Sequence, residues 1–308
     1  MDSTNPFYKQ VSLLVQLLPI VGQQACFALK GGTAINLFVR NLPRLSVDID
    51  LAYLPMADSK ALSEIDQALT AIAEDIRQRL SEVKVTRQAN PQTGTLLKLK
   101  IASSDAIVKI EVTPVLRGSV YEAEIRSVSP RVAEHFGYAE VPLLSFNDIY
   151  AGKICAALDR QHPRDFYDTM QLLDKEGISR ALIIAFLVYL IGHNRPMTEL
   201  LAPRVKPIID IYEAEFKGMT FDEVSLEVLE TTLPRLVETL HASLTDADKA
   251  FLLSFKKGKP DWYHPGLEHI ELLPSVRWKL LNLGRMSKKK HKQAIGNLEA
   301  VLYGGGNV

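Results

Sequence analysis

The most informative part of the chain begins with an apolar run that ends at two glycines. Residues 26–29 are apolar, and the polar and glycine positions 30–33 follow at once. The next apolar positions, Ala34, Leu37 and Phe38, fall on one stripe of a helix with 3.6 residues per turn. Adjacent glycines favour a tight backbone turn. The pattern therefore predicts a strand, a tight turn and a helix.

A second strand pattern follows closely. Residues 46–51, Ser-Val-Asp-Ile-Asp-Leu, alternate between polar and apolar. Because successive side chains of a strand point to opposite faces, Asp48 and Asp50 should project from the same face. Unit charges about 4 Å apart repel by about 4 kcal/mol at an effective dielectric constant of about 20. Such a pair of carboxylates should therefore share a proton or bind a divalent cation.

The remaining patterns predict a sheet region followed by helices. Apolar positions at helical spacing predict a helix over residues 58–80, and β-like runs occupy 82–87, 96–101 and 106–114. In the last run, Glu111 lies on the face opposite to the apolar side chains. Beyond residue 144 the alternation disappears and helical patterns continue to the end of the chain.

The change of pattern places a domain boundary between residues 141 and 142. The first domain is then residues 1–141 and the second is residues 142–308. Ser145 is a good N-cap for a helix that runs through Asp159, and a further helix is expected to begin at Pro163.

Composition and charge narrow the class of protein. The chain has 308 residues, of which 47% are hydrophobic and 23% charged, which is long enough for two domains with cores of their own. Its 36 basic residues equal its 36 acidic residues, so any nucleic-acid surface must be local. Cys26 and Cys155 lie in apolar runs and are interpreted as buried thiols. Residues 1–6 lack the basic start of a signal peptide, and no run is long enough to cross a bilayer, so a cytoplasmic protein is expected.

The glycine turn and the aspartate pair together indicate a site for a nucleoside triphosphate and a metal ion. Backbone N–H groups at a Gly-Gly turn, with the positive end of a following helix, suit a phosphate chain. Mg²⁺ is usually held by one or two carboxylates together with substrate phosphates. The simpler interpretation is a helix-capping Thr33 and two solvated aspartates. The ordered combination favours the nucleotide site, and a Walker-type G-x-x-x-x-G-K-[ST] loop does not occur.

At these residues the chain resembles a known family. Residues 29–34 and 43–50 are similar to the DNA polymerase β-type nucleotidyltransferase superfamily, and most similar to the AbiEii-type abortive-infection nucleotidyltransferase toxins, which include the MenT-like toxins. Residues 153–160 with 164–168 resemble the family's second conserved block, and residues 274–283 resemble its C-terminal block. The resemblance implies an α/β nucleotidyltransferase domain with a mixed sheet, followed by an all-α C-terminal domain that completes the active site.

The resemblance also implies an activity and its partners. The chain would be a Mg²⁺-dependent (or Mn²⁺-dependent) nucleotidyltransferase of class EC 2.7.7, a toxin that transfers NMP from NTP to an RNA acceptor. That acceptor would be the 3′ end of tRNA, and its modification would block translation in a toxin–antitoxin or phage-defence system with a cognate antitoxin encoded nearby. Two alternatives stay open: a small-molecule nucleotidyltransferase of the antibiotic-resistance type, and a catalytically inactive NTP-binding regulator.

Site residues are carried over position by position. The implied metal ligands are Asp48, Asp50 and Glu111, of which Glu111 helps to bind metal or deprotonates the acceptor. Where many relatives have aspartate at this third position, this chain has glutamate. The plain interpretation of Glu111 is an exposed strand residue paired with a neighbouring lysine. The implied nucleotide-binding residues are Lys30, Gly31, Gly32, Thr33, Arg44, Ser46, Lys153 and Arg164.

The second conserved block supplies further candidates. Lys153 would neutralise the β- and γ-phosphates, and Arg164 and Asp165 would belong to the active site. Spacing alone favours a solvated surface lysine at 153 and a residue at 165 that stabilises a helix N-terminus, worth about 0.3–1 kcal/mol. The sequence leaves open whether Asp165 or Asp168 is the catalytic aspartate.

The last informative stretch is basic. Residues 277–292 contain seven lysines and arginines and no acidic residue. Such a stretch with an aromatic side chain predicts an RNA-binding face, whereas the plain interpretation is a solvated helix end. Leu280, Leu281 and Leu283 are expected to be buried beneath it. The candidate RNA-binding residues are Arg277, Trp278, Lys288, Lys289, Lys290 and Lys292.

Overall fold

The structure is a computed structural model that describes residues 6–56, 60–113 and 117–304. Its N-terminal half alternates strands and helices. The elements are α1 (Pro6–Val21), β1 (Phe27–Lys30), α2 (Gly31–Thr33, continued by a π-helical stretch Ala34–Val39), β2 (Asp48–Tyr53), α3 (Ala61–Arg79), β3 (Lys84–Ala89), β4 (Leu96–Ala102), β5 (Ile107–Val112), β6 (Glu124–Ser127), α4 (Pro130–Phe136) and β7 (Glu140–Leu143).

The strands of the described residues form one mixed seven-stranded sheet in the order β3-β4-β5-β2-β1-β7-β6. Strand β2 lies at its centre, antiparallel to β1 and parallel to β5. Strand β7 pairs with β1 in parallel, through Leu29 and Leu143. The predicted α/β domain with a mixed sheet is confirmed. The sequence patterns missed β6, α4 and β7.

One face of the sheet is buried and the other carries polar side chains. In β5, Val108, Ile110 and Val112 are buried, while Lys109 is exposed and Glu111 half-buried. The buried face packs against α1 and α3. The alternation predicted for β5 is therefore confirmed. Asp58 and Pro114, where the predicted helix began and the predicted strand ended, lie outside the described residues.

The C-terminal half is helical, as predicted: its described residues form helices and no strand. Ser145 Oγ accepts a hydrogen bond from Asp148 N at 3.0 Å and so caps the first of them. The elements are α5 (Phe146–Asp159), α6 (Pro163–Lys175), α7 (Arg180–Gly192), α8 (Met197–Leu201), α9 (Ile209–Glu215), α10 (Leu226–Glu230), α11 (Thr232–Ser243), α12 (Asp246–Lys256), a 3-10 turn (Ile270–Leu272), α13 (Pro274–Gly284) and α14 (Lys288–Tyr303).

The chain divides into two compact units. The first comprises Met1–Ile149 with Gly218–Glu223, and the second comprises Tyr150–Lys217 with Val224–Val308. The division thus falls within α5. A short segment of the C-terminal half, Gly218–Glu223, belongs to the first unit, and we call it the returning segment. The predicted boundary between residues 141 and 142 stays a prediction about which parts fold independently.

The cysteines and the apolar helices have simple environments. Cys155 is buried, which raises the pKa of its thiol, whereas Cys26 is only half-buried. Both are free thiols. Within residues 6–56, 60–113 and 117–304, no helix combines the length and the apolar character needed to cross a membrane.

Candidate active site

Four charged side chains form a line across the centre of the sheet. Lys30 on β1 is paired in register with Asp50 on β2, Asp50 is paired with Glu111 on β5, and Glu111 is paired with Lys98 on β4. Directly paired residues of neighbouring strands point to the same face. We call these four residues the charged row. Asp48 lies two residues before Asp50 and projects from the same face, as predicted.

The two inner carboxylates of the charged row are flanked by two lysines. Lys98 forms an ion pair with Glu111, so the pairing of Glu111 with a neighbouring lysine is present in the structure. At the other end, Lys30 Nζ donates to Thr113 Oγ1 at 3.3 Å. Burial lowers the pKa of Lys30, and the charges of Asp50 and Glu111 oppose that shift. The two positive and two negative charges of the charged row therefore balance each other.

Gly31 allows the backbone to pass close to Asp50. Gly31 has a φ of +74°, and a Cβ at this position would lie 2.5 Å from Asp50 Oδ2. A Cβ on Gly32 would lie 2.8 Å from Arg44 Nη2 and 3.0 Å from Ser46 Oγ. The distances to Asp50 and Arg44 are shorter than a Cβ atom tolerates, and the distance to Ser46 is at the limit. Strand β1 ends at Lys30 and α2 begins at Gly31, so no separate turn lies between them where the sequence predicted one.

Thr33 anchors α2 to the strand that carries the aspartates. Its side chain is buried, its Oγ1 donates to the carbonyl oxygen of Asp48 at 2.5 Å, and it lies 3.0 Å from Ser46 Oγ. Asn36 Nδ2 adds a bond to the carbonyl oxygen of Gly32 at 2.9 Å. The hydroxyl of Thr33 therefore contacts β2, and no side-chain capping bond forms at the start of α2.

The segment that leads into β2 is fixed on both sides. Arg44 is only 2% exposed, and its Nη1 donates to the carbonyl oxygen of Leu45 at 2.8 Å. Ser46 is also buried. From the returning segment, the carbonyl oxygen of Met219 accepts a bond from Leu45 N at 2.8 Å. Rigid support on this side gives Asp48 and Asp50 a defined direction.

The donor set fits a divalent cation that is shared with a substrate. No group of three or more metal-ligating side chains converges among the residues that the structure describes. Such a group is not required, because Mg²⁺ keeps several waters and is held by one or two carboxylates with substrate phosphates. Asp48 and Asp50 supply two hard oxygen donors on one face. The residues present therefore suit Mg²⁺ or Mn²⁺ bound together with a nucleotide.

A second cluster of charges is buried between α5 and α6. Lys153 Nζ lies 2.7 Å from Asp165 Oδ1 and 3.0 Å from Asp168 Oδ2, and Arg160 Nη2 lies 2.9 Å from Asp165 Oδ1. Lys153, Asp165 and Asp168 are all buried. A solvated Lys153 is thereby excluded. Burial alone would raise the pKa of Asp165, but Lys153 and Arg160 outweigh it and hold that pKa well below its usual value.

Arg164 points to a different set of partners. Its Nη2 lies 3.2 Å from Glu215 Oε2, and its backbone N–H donates to His162 Nδ1 at 3.1 Å, which caps α6. Burial lowers the pKa of His162. Arg160, to which the sequence patterns gave no role, is thus the arginine that pairs with Asp165. Its spacing of seven residues from Lys153 places both on one helix face and was the available signal.

The C-terminal basic stretch is divided between α13 and α14. Trp278 is exposed, and Leu281 is 62% exposed, so the expectation that Leu281 is buried was wrong. Lys279 donates to the backbone of α7 at His193, and burial lowers its pKa to about 8. Lys288, Lys289, Lys290 and Lys292 are exposed around the first turn of α14, where cations oppose the helix dipole.

Comparison with known proteins places these features in a family. The sequence profile of a family described as nucleotidyl transferase AbiEii toxin, type IV TA system, matches residues 12–281. The chain belongs to the AbiEii family. The match includes the charged row and the Lys153 cluster and ends before α14. The family is one of nucleotidyltransferase toxins of type IV toxin–antitoxin systems, which implies an antitoxin partner.

The fold agrees with that of a solved nucleotidyltransferase toxin. The chain is similar to MenT4, a nucleotidyltransferase toxin from Mycobacterium tuberculosis H37Rv, with a TM-score of 0.61 and 15% sequence identity. The alignment covers 90% of this chain and 93% of MenT4. A search of curated protein sequences found no match. At this identity, the likeness to MenT4 is one of fold.

The close contact between the backbone of Gly31 and the side chain of Asp50 gives a prediction for this AbiEii chain. Gly31→Ala should lower the free energy of unfolding by more than the roughly 1 kcal/mol that positive φ costs a non-glycine residue, because its Cβ also displaces Asp50. Nucleotide transfer should fall with it. Gly94→Ala is the matched control, since Gly94 has a φ of +71° and nothing within 4 Å of an added Cβ. Equal stability and activity of the two variants in urea unfolding and transfer assays would contradict the close contact.

Proposed function

We propose that this AbiEii chain transfers a nucleoside monophosphate from an NTP to a hydroxyl of an RNA acceptor, the 3′ end of tRNA, and thereby blocks translation. The observation that carries the proposal is the placement of Asp50. It lies in register with Glu111 and directly beside the backbone of Gly31, in a chain of a nucleotidyltransferase family. Carboxylates and a phosphate-accepting helix start are thus adjacent.

In the proposed reaction, the acceptor oxygen forms a bond to the α-phosphorus of the NTP. The bond from that phosphorus to the bridging oxygen breaks, and pyrophosphate leaves. The acceptor proton passes to a carboxylate, for which Glu111 is the candidate once its contact with Lys98 opens. Asp48 and Asp50 would hold Mg²⁺ or Mn²⁺, which when bound neutralises the phosphate charge and polarises the reacting phosphoryl group. This chemistry corresponds to class EC 2.7.7.

The proposed nucleotide contacts come from the start of α2 and from the lead into β2. The N–H groups of Gly31, Gly32 and Thr33 begin a helix and are disposed to bind phosphate oxygens. Lys30 adds a positive charge in the same region. The side chains of Arg44 and Ser46 lie next to Gly32. We therefore propose that they hold the backbone of Gly32 in the position that binds the phosphates.

Lys153, Arg164 and Asp165 are proposed to contribute to the reaction, on the resemblance of their block to the family's second conserved block. Within the second unit, Asp165 and Asp168 both bind Lys153, and neither stands out as the single catalytic aspartate. Arg277, Trp278 and the lysines of α14 are proposed to bind RNA. Unfavourable placement of four lysines at a helix N-terminus supports a role beyond stability.

The proposal is tested by incubating the protein with each labelled NTP, total cellular RNA and Mg²⁺ or Mn²⁺. Label should enter RNA of tRNA size with one NTP preferred, and periodate oxidation of the RNA, which destroys its 3′-terminal diol, should abolish labelling. Label in a small molecule would favour an antibiotic-type transferase. NTP binding without any turnover would favour an inactive regulator. Either result would overturn transfer to RNA.

Expression in bacteria gives a second, cellular prediction. The wild-type chain without its antitoxin should halt growth, because modified tRNA ends block translation, and the Asp48→Ala variant should not. Charge reversal across the four exposed lysines of α14 should weaken toxicity by weakening RNA binding; these are Lys288, Lys289, Lys290 and Lys292. Growth curves with matched expression levels and pulse labelling of new protein measure both effects. Unchanged growth under wild-type expression would contradict the toxin role proposed for this chain, and co-expression of the neighbouring gene should restore growth if it encodes the antitoxin.

A further inference from the structure

The open face of strands β3, β4 and β5 is unusually basic for a chain with no net charge. The residues of this face are directly paired across the three strands, and they lie on the same side of the sheet as the charged row. Four are lysines and one is a glutamate, whereas the chain as a whole has 36 residues of each sign. The nine positions of this face are Lys84, Thr86, Gln88, Lys98, Lys100, Ala102, Ile107, Lys109 and Glu111. We call Lys84, Lys98, Lys100 and Lys109 the lysine face.

Most of these lysines form no ion pair with another described residue. Lys98 pairs with Glu111, but Lys84, Lys100 and Lys109 form no ion pair or side-chain hydrogen bond within the part of the chain that the structure describes. Lys84 and Lys109 are exposed, and Lys100 is half-buried. Lys100 and Lys109 are directly paired across β4 and β5 and project from the same face. Like charges directly opposite each other destabilise a sheet, so stability does not explain the pairing of Lys100 with Lys109.

The lysine face lies next to the carboxylates of the candidate active site. Lys109 is the register partner of Asp48, and Lys98 ends the charged row. Strands lie about 4.8 Å apart and rise about 3.3 Å per residue, so Lys100 and Lys84 lie within about 10–20 Å of the aspartates. These lysines are therefore within reach of a chain whose end is held at Asp48 and Asp50. Thr86 and Gln88 on the same face are further side chains of the types that contact phosphate and sugar oxygens.

We infer that the lysine face binds the phosphate backbone of the RNA acceptor close to its reacting end. The inference rests on the proposed function for the identity of the acceptor. Unpartnered lysines on the open face of a sheet match a polyanion, and each phosphate that they neutralise releases condensed counterions. Contacts to phosphates carry no information about the bases, so this surface should bind RNA by charge and shape and not by its nucleotide sequence. This surface is separate in sequence from the lysines of α14, and it belongs to the same unit as Asp48 and Asp50.

The test measures binding and transfer separately. Lys84→Gln and Lys100→Gln keep a polar side chain of similar length on the strand and remove its charge. Lys60→Gln is the matched control, because Lys60 is an exposed lysine of the same unit at the start of α3 and lies outside the lysine face. Binding of tRNA with a terminal 2′,3′-dideoxynucleotide is measured over a range of salt concentrations without NTP. Steady-state transfer to normal tRNA gives kcat and KM.

Each lysine-face variant should weaken RNA binding about fivefold near 0.15 M salt, which corresponds to the loss of one phosphate contact. The slope of log K against log salt should fall by about one unit, KM for RNA should rise by a similar factor, and Lys60→Gln should match the wild type. Equal melting temperatures exclude misfolding.

The outcomes separate the inference from the proposed function. If the wild type transfers NMP to RNA and both variants keep its affinity and salt slope, the lysine face is not the RNA surface and the proposed function stands. Should the wild type bind RNA through these lysines but transfer nothing to it, RNA binding by the lysine face stands and transfer to RNA is wrong. Loss of antitoxin binding in the variants at unchanged RNA affinity would assign the surface to a protein partner and overturn the inference.

Discussion

Asp50→Asn should lower the rate of nucleotide transfer by at least about a thousandfold, which corresponds to about 4 kcal/mol of transition-state stabilisation. The substitution keeps the size of the side chain and its fit against Gly31, and it removes the charge that would hold a divalent cation. Asp48→Asn should have an effect of similar size. Transfer of labelled nucleotide at saturating NTP and metal measures both.

Stability distinguishes this loss from unfolding. Asp50 lies between an attractive Lys30 and a repulsive Glu111, so Asp50→Asn should change the free energy of unfolding by less than about 1 kcal/mol. Asp105→Asn is the matched control, because Asp105 is an exposed aspartate of the same unit and its side chain pairs with Lys9 at 3.2 Å. Its activity should equal that of the wild type. Full turnover by the Asp50 variant would rule out the proposed metal site.

The features that the sequence predicted best are those set by local periodicity. Period-two alternation placed Asp48 and Asp50 on one face, and the same rule placed Glu111 opposite to Val108 and Ile110. These predictions succeed because a strand with one buried face cannot shift its register by one residue without exposing its core. The predicted end of β1 was correct to within one residue, whereas α2 begins at Gly31, where a turn was predicted.

The features that the sequence did not predict depend on pairing between distant segments. Nothing local to Lys98 indicates that β4 lies beside β5 in the register that pairs it with Glu111. The parallel pairing of β7 with β1 joins Leu143 to Leu29, and the short β7 had no clear alternation. Periodicity assigns a residue to a face but does not choose the strand next to it. The partners of a site carboxylate therefore became visible only with the sheet order.

The buried cluster of the second unit shows the same limit for helices. Helical spacing placed Lys153 and Arg160 on one face, but it gave no reason to bury Lys153. Burial follows from the packing of α5 on α6, where two aspartates compensate one lysine. Arg164, which the resemblance favoured, pairs with Glu215 instead of Asp165. A resemblance assigns roles to positions, and the contacts decide which arginine supports which carboxylate.

Lys153→Met should lower the free energy of unfolding by about 3–5 kcal/mol, because it leaves the buried carboxylates of Asp165 and Asp168 without their shared cation. Arg160 still contacts Asp165, which places the expected loss at the lower end of that range. Lys256→Met is the matched control. Lys256 is also buried and its pKa is lowered by burial, but it forms no ion pair within the described residues, so its replacement should leave stability unchanged or increase it.

The acid dependence of unfolding identifies the carboxylate that Lys153 stabilises. The folded-state pKa of Asp165 lies below its unfolded value of about 4, so the ion pair stabilises the fold fully above that pH and loses its contribution as pH falls toward the folded-state value. Asp165→Asn should therefore flatten the decrease in stability below about pH 4. If Lys153 also serves the reaction, kcat/KM of Lys153→Met should fall about a hundredfold, roughly 3 kcal/mol, at a temperature where the variant is fully folded. A loss of activity that only follows the unfolded fraction would leave Lys153 as a structural residue that joins α5 to α6.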